Sequence, residues 1–243
     1  MILMVEFDKQ FISWCKRETG KYQIKLLDQA MYPLGSGILL NYRKRYFIVT
    51  CYHCVRYIDD VRDLIAPVHY PNGQVKAFNL RNPQSDPESD LASFEISYVD
   101  LSVTQNEKGY IQEVLFDELK PENNIGELIV INATNYTGYD RDEKEGLTLL
   151  RLTTLPYFTE IEEYENDFFK GNADTKGIGE DGVEYQVETF AGMSGSPSFK
   201  IDIKRNLLRW IGILTNGDPG AGSFLVLDYR LVIKFLDQKY FSK

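Results

Sequence analysis

The sequence predicts an all-β protein whose strands fall into two halves, each reading as a barrel, with a helix at either end. Three observations lead there. Short runs of β-branched and aromatic residues, punctuated by Gly, Pro and Asn, recur from Lys21 to Leu227. A polar stretch from Val103 to Ile125 divides these runs into two series. Apolar residues at helical spacing stand at the two ends of the chain.

Taken in order, residues 1–20 form the N-terminal helical segment. Val5, Phe7, Phe11, Ile12 and Cys15 supply a loosely helical apolar face over residues 5 to about 18, and Gly20 is placed to end it. The first barrel occupies residues 21–105, with strands expected at Tyr22–Leu27, Gly37–Leu40, Tyr46–Thr50, Asp63–Val68, Gln74–Leu80 and Leu91–Ile96. Residues 106–125 make the connection, rich in turn formers at Asn106-Glu107-Lys108-Gly109 and Lys120-Pro121-Glu122-Asn123-Asn124. The second barrel spans residues 126–228, with strands at Glu127–Asn132, Gly146–Thr153, Glu184–Glu188, Ser198–Ile203, Leu207–Leu214 and Ser223–Leu227. The acidic and aromatic stretch Glu160–Asp167 is expected to be a solvated loop. Residues 229–243 close the chain with an amphipathic helix running from Tyr229 to Tyr240.

Bulk properties exclude several classes. The 243 residues carry a formal charge of −9 and no Lys/Arg-rich run, which argues against binding nucleic acid, since that depends on cations displacing counterions from phosphates. The apolar start Met1-Ile2-Leu3-Met4-Val5 meets Glu6 and Asp8 at once, so no cleaved signal peptide is expected. No run of 18 apolar residues occurs, so the expectation is a soluble chain without a membrane partner. Three cysteines, at 15, 51 and 54, give no disulfide framework and suggest a reducing, cytoplasmic home. Cys51-x-x-Cys54 could be half a zinc site or a redox pair, but a zinc site needs about four ligands, so the expectation is two small buried thiols and no metal. The triplets Asn132–Thr134 and Asn135–Thr137 would be glycosylated only in a secreted chain.

The chemistry concentrates in three places. Gly192-Met193-Ser194-Gly195-Ser196-Pro197 presents a serine in a glycine-flanked turn, a pattern expected by chance in about one chain in a thousand of this length. A serine hydroxyl is almost wholly protonated at neutral pH, so attack on a carbonyl needs a neighbouring base. The chain has two histidines. His53 follows the run Ile48-Val49-Thr50-Cys51-Tyr52, where a short turn can present it to a cleft. His69 approaches a hairpin and reads as structural. A carboxylate behind the base would hold one ring tautomer and stabilise the imidazolium. Asp90 opens the run Leu91-Ala92-Ser93-Phe94 and is preferred to Asp86, which lies in a Pro-flanked loop. The glycines let the turn aim backbone N–H groups at one point, making the amides of Gly192 and Ser194 the oxyanion hole.

These segments, with Gly35-Ser36-Gly37 and Trp210-Ile211-Gly212-Ile213-Leu214-Thr215-Asn216-Gly217, resemble the chymotrypsin-like (trypsin-like) serine peptidase family from about Gly35 to Leu236, its bacterial branch most of all. The resemblance implies two six-stranded antiparallel β-barrels with the cleft between them, His53 and Asp90 coming from the first and Ser194 from the second. It implies a specificity pocket walled by Glu188 and Thr189, by Thr215, Asn216 and Gly217, and by Gly222 with Phe224 behind. Glu188, with Asp218 at the mouth, would then favour a Lys or Arg side chain before the cleaved bond. The family's zymogen-activated members carry an acid where this chain has Met193, and no Ile-Val-Gly-Gly-like site precedes the first barrel. Control would then come from loop ordering or a regulatory protein partner.

The sequence thus predicts a serine endopeptidase acting on a protein or peptide substrate through an acyl-enzyme, with no metal or organic cofactor. The rival is a latent barrel pair that binds or regulates without turnover. A non-proteolytic acyl hydrolase fits less well, because it usually carries G-x-S-x-G between strand and helix with its histidine last.

Overall fold

The computed structural model describes residues 9–144, 147–172, 176–178, 184–186, 192–203, 205–218 and 222–242, with side chains outside 133–155, 176–178, 184–186 and 218. The chain is mostly β. The N-terminal helix α1 covers Lys9–Gly20, turns Ile12 and Cys15 inward, and ends at Gly20 as expected. In its last turn Thr19 Oγ1 donates to Cys15 O at 2.7 Å.

The first half contains β1 (Gln23–Leu27), β2 (Pro33–Tyr42), β3 (Arg45–Cys51), the single helical turn α2 (Tyr52–Val55), β4 (Pro67–His69), β5 (Val75–Ala77), β6 (Arg81–Asp86) and β7 (Leu91–Ile96). It does not close into the expected six-stranded barrel. Five strands form an antiparallel sheet in the order β1-β2-β3-β7-β6, and β4 and β5 form a separate hairpin. A Leu27–Ile65 bridge ties the segment leading into that hairpin to the β1 edge. On the opposite edge, β6 carries Pro83, which has no N–H to donate, and Asn82 with φ +47°, and its register with β7 breaks between Arg81 and Gln84. A proline and a bulge blunt a strand edge. No ladder joins β6 to β5 among the described residues. Gly35-Ser36-Gly37, expected before a strand, lies inside β2.

The second half contains β8 (Leu128–Lys144), β9 (Leu147–Glu165), β10 (Phe168–Asn172), β11 (Lys176–Ile178), β12 (Glu184–Gln186), β13 (Pro197–Asp202), β14 (Leu207–Asp218) and β15 (Ser223–Asp228). Six of these close an antiparallel barrel in the order β10-β15-β14-β13-β8-β9. The hairpin β8–β9 runs far beyond the two short strands expected there. The supposed loop Glu160–Asp167 is instead the end of β9 and the turn into β10, with Ile161 buried on the barrel side and its acidic neighbours outward. Alternation of that kind is a strand pattern, masked in the sequence by the density of acids. The strands β6, β10 and β11 were not foreseen.

The closing helix α3 (Tyr229–Leu236) is capped by Asp228, whose carboxylate accepts from Arg230 N at 2.8 Å, and continues as a π-turn over Asp237–Phe241. This segment crosses to the first half. Tyr240 stacks 4.9 Å from the Phe47 ring, and Arg45 donates to Tyr240 O at 3.1 Å. One apolar core joins the halves, holding Phe47, Ile38 and Cys51 from the first with Phe199, Trp210 and Ile213 from the second. Burying each such Phe or Ile side chain contributes about 1.5–3 kcal/mol. A second cluster, including Met193, Tyr157 and Phe224, fills the closed barrel. No helix among the described residues is long and apolar enough to cross a membrane.

Candidate active site

The register of β3 against β7 pairs Cys51 with Leu91 at the end of the ladder. The residues just beyond are therefore neighbours. Tyr52 N donates to Asp90 O at 2.9 Å, and Asp90 turns its backbone to φ +54°, a conformation in which a short polar side chain is tolerated. That turn aims the carboxylate at α2. Its Oδ1 accepts from His53 N at 2.9 Å while Oδ2 lies 2.7 Å from His53 Nδ1. One carboxylate thus fixes both the main chain and the ring of the histidine, leaving Nε2 free of that bond. Asp86 instead caps its own turn, accepting from Ser89 Oγ at 2.6 Å and Glu88 N at 3.3 Å. His69 ends β4 and plays no part in this cluster.

Ser194 lies in the turn before β13. Gly192 and Gly195 have φ of +86° and +85°, and a Cβ on Gly195 would run into the Ser36 carbonyl, so only glycine fits there. Main-chain bonds lock the turn: Ser36 N to Ser194 O at 2.9 Å, Gly195 N to Leu214 O at 2.7 Å, and Ser196 N to Met193 O at 3.0 Å. Met193, where an ion-pairing acid was the alternative, is fully buried in the barrel core and anchors the loop by apolar packing. Cys54, next to His53, reaches the same loop, its Sγ 3.8 Å from Ser194 O. Ser194 Oγ donates to Thr215 O at 3.0 Å, and among the described residues no hydrogen bond joins it to His53.

A brace that the sequence did not reveal lies beneath the loop. Gln23 Nε2, fully enclosed, donates to Ser36 Oγ at 3.0 Å and Ser196 Oγ at 3.2 Å. Ser36 Oγ donates in turn to Gly192 O at 3.1 Å, and Thr50 Oγ1 to Ser36 O at 2.6 Å. The only signal was a glutamine inside the apolar run Tyr22–Leu27, too common a feature to read.

Electrostatics follow from these contacts. The His53 ring is raised from its ordinary value to about 10, first by its bond to Asp90 and then by its bond to Cys54, against the effect of burial. Cys54 is lowered to about 6, mainly by its hydrogen bond with Cys51, with His53 adding to it. Burial drives Cys51 well upward. All three cysteines are buried free thiols. Cys51 Sγ, a His53 ring nitrogen and an Asp90 oxygen lie within 4.8 Å of one another, a spacing that could hold a metal ion. However, the 2.7 Å approach of ring and carboxylate is hydrogen-bond geometry, and Cys51 points to Leu214 O at 3.4 Å.

The remaining expected pocket residues divide. Thr215 is buried, its Oγ1 donating to Leu225 O at 3.1 Å. Asn216 is exposed, and Gly217 pairs with Phe224 across β14 and β15. Gly222 turns at φ +61°, and Phe224 is 1% exposed inside the barrel cluster. Glu188 and Thr189 lie outside the described residues, as does the side chain of Asp218. Neither a known family model nor a curated protein sequence matches this chain.

Proposed function

We propose that the chain is a cytoplasmic serine endopeptidase of chymotrypsin-like type, with the open N-terminal sheet and its hairpin standing for the first barrel. The observation that carries this reading is the 2.7 Å Nδ1–Oδ2 bond between His53 and Asp90, set beside the glycine-flanked Ser194 turn. Ser194 Oγ attacks the scissile carbonyl carbon while its proton passes to His53 Nε2. The resulting oxyanion is held by the amides of Gly192 and Ser194, and Asp90 stabilises the imidazolium. His53 then protonates the leaving amine, and water hydrolyses the acyl-enzyme by the same route. For the first step Ser194 must rotate its hydroxyl away from Thr215 O.

A second reading rests on that last contact. A serine bonded to a carbonyl instead of its base describes a resting state, which a protein partner would convert, or a scaffold that never turns over. Labelling purified protein with a fluorescent fluorophosphonate beside Ser194→Ala separates these. Labelling that disappears in the variant supports the peptidase. A folded wild type that does not label contradicts an assembled site and favours the latent module.

A further inference from the structure

Cys51 and Cys54 stand three residues apart across one helical turn, Cys51 as the cap that opens α2 and Cys54 within it. One turn of helix sets such Cα atoms about 5 Å apart, inside the roughly 4.4–6.8 Å that a disulfide spans. The side chains meet as well, for the two thiols hydrogen-bond to each other. Both face the Ser194 turn: Cys51 Sγ lies 3.4 Å from Leu214 O and Cys54 Sγ 3.8 Å from Ser194 O. Those carbonyls belong to the network that locks the turn, since Gly195 N donates to the first and Ser36 N to the second. The two sulfurs therefore share the narrow space between α2 and the serine loop.

The pair is unequal. Cys54 keeps a small opening to solvent at 8% exposed, beside a half-buried His53, while Cys51 is sealed. Contact with Cys51 and His53 holds the Cys54 thiol at about 6, whereas burial drives Cys51 well upward. Burial also pushes the third cysteine, Cys15 of α1, up to about 12. A thiolate that an oxidant can reach, with a second thiol in contact behind it, is the arrangement of a dithiol that reacts in two steps.

We propose that Cys51 and Cys54 form a modification site, a dithiol that a hydroperoxide closes into a reversible disulfide, releasing His53 from the Cys54 sulfur. With hydrogen peroxide, the Cys54 thiolate attacks one oxygen: an S–O bond forms, the O–O bond breaks, and the departing hydroxide takes up a proton to leave as water. The Cys51 sulfur then attacks the Cys54 sulfenic acid, forming S–S and breaking S–O, and the Cys51 proton leaves with that hydroxide as a second water. The peroxide gains the two electrons that the thiol pair loses. A dithiol reductant reverses the bond by exchange. A disulfide has neither an S–H to donate nor a thiolate to offer a neighbour. The His53 ring is faced by Asp90 from the start of β7 and by Cys51 and Cys54 from α2, and only the sulfurs change, so the ring should titrate at lower pH once they are joined. On the peptidase reading, on which this last consequence alone rests, more of the base is then unprotonated at neutral pH.

The test treats the reduced full chain with hydrogen peroxide, blocks remaining thiols with N-ethylmaleimide under denaturing conditions and maps the peptides by mass. The intact protein should lose two hydrogens, the loss should map to the tryptic peptide of residues 46–56, and Cys15 should take the maleimide. Dithiothreitol should return both thiols. Cys51→Ser and Cys54→Ser should each abolish the loss; the wild-type map decides the matter if either fails to fold. In isotope-labelled protein the His53 ring should titrate at lower pH in the oxidised form than in the reduced form, with His69 as internal control. A crosslink through Cys15, oxygen acids of cysteine in place of the crosslink, no reaction at all, or a His53 titration that ignores the crosslink would each overturn the proposal. Neither readout requires turnover, so a chain that never labels with fluorophosphonate would count against the peptidase reading alone.

Discussion

At His53 a single carboxylate does two jobs, and the consequence is a ring that prefers to be charged. The bond to Asp90 and the neighbouring Cys54 sulfur both favour imidazolium, lifting the ring to about 10. On the proposed peptidase reading His53 is the base and works only when unprotonated, so below that value the active fraction would fall about tenfold per pH unit. Fluorophosphonate labelling of Ser194 should therefore climb steadily from pH 7 toward pH 10. Cys54→Ala removes one of the two favouring groups and should move the profile to lower pH. A wild-type profile already flat at pH 7.5 would contradict this account. The same shift bears on stability: the raised folded value means that stabilisation by the charged ring is complete below the ordinary histidine range and is lost as pH rises through about 10.

Among the elements, the connection between the halves is pinned by a buried polar cluster. Lys200 Nζ on β13 meets Asp117 Oδ1 at 2.6 Å and Asn124 Oδ1 at 2.8 Å, and Asn124 Nδ2 donates to Asp117 Oδ2 at 2.6 Å. The charged side chains are 9% and 3% exposed. Removing one partner leaves the other charge buried and bare, so Lys200→Met should cost about 3–5 kcal/mol. At about 2–4 °C per kcal/mol, that lowers the melting temperature by roughly 10 °C. Adding Asp117→Asn should recover part of the loss, since the uncompensated charge is then gone; a double variant no better than the single one would refute the assignment. The connection was legible as polar and turn-rich, but its anchoring was not, because Lys200 looked like any outward residue of a strand.

Across the whole molecule, the shared core and the returning C-terminal segment bind the halves into one body. Tyr240 packs on Phe47 and bonds Ser93 Oγ at 3.0 Å, while Tyr42 OH donates to Asp237 Oδ1 at 3.1 Å. Thermal unfolding should show one transition by both far-UV and aromatic signals. Deleting residues 237–243 uncovers Phe47 and should lower that single transition by about 5–10 °C, in line with loss of a few kcal/mol of apolar burial. Two separated transitions in the intact chain would show instead that the halves fold independently.

Local pattern alone identified the β-rich halves, both terminal helices and the strand Leu91–Ile96 to the residue, and it singled out His53, Asp90 and Ser194 as a candidate site, of which the structure bonds His53 to Asp90, because those features depend on periodicity, turn chemistry and rare residue groupings within a few positions. The long β8–β9 hairpin, the open first sheet and the Gln23 brace came only with the tertiary structure. Each depends on which strands pair and which distant groups meet: a strand's length is set by its partner, an edge by what fails to pair with it, and a buried glutamine or lysine by hydrogen bonds to residues far along the chain. The Ser194 hydroxyl illustrates the division most plainly. Its presence was written in six consecutive residues, while its direction toward Thr215 O was decided by a strand that follows it in the sequence and lies against it in the fold.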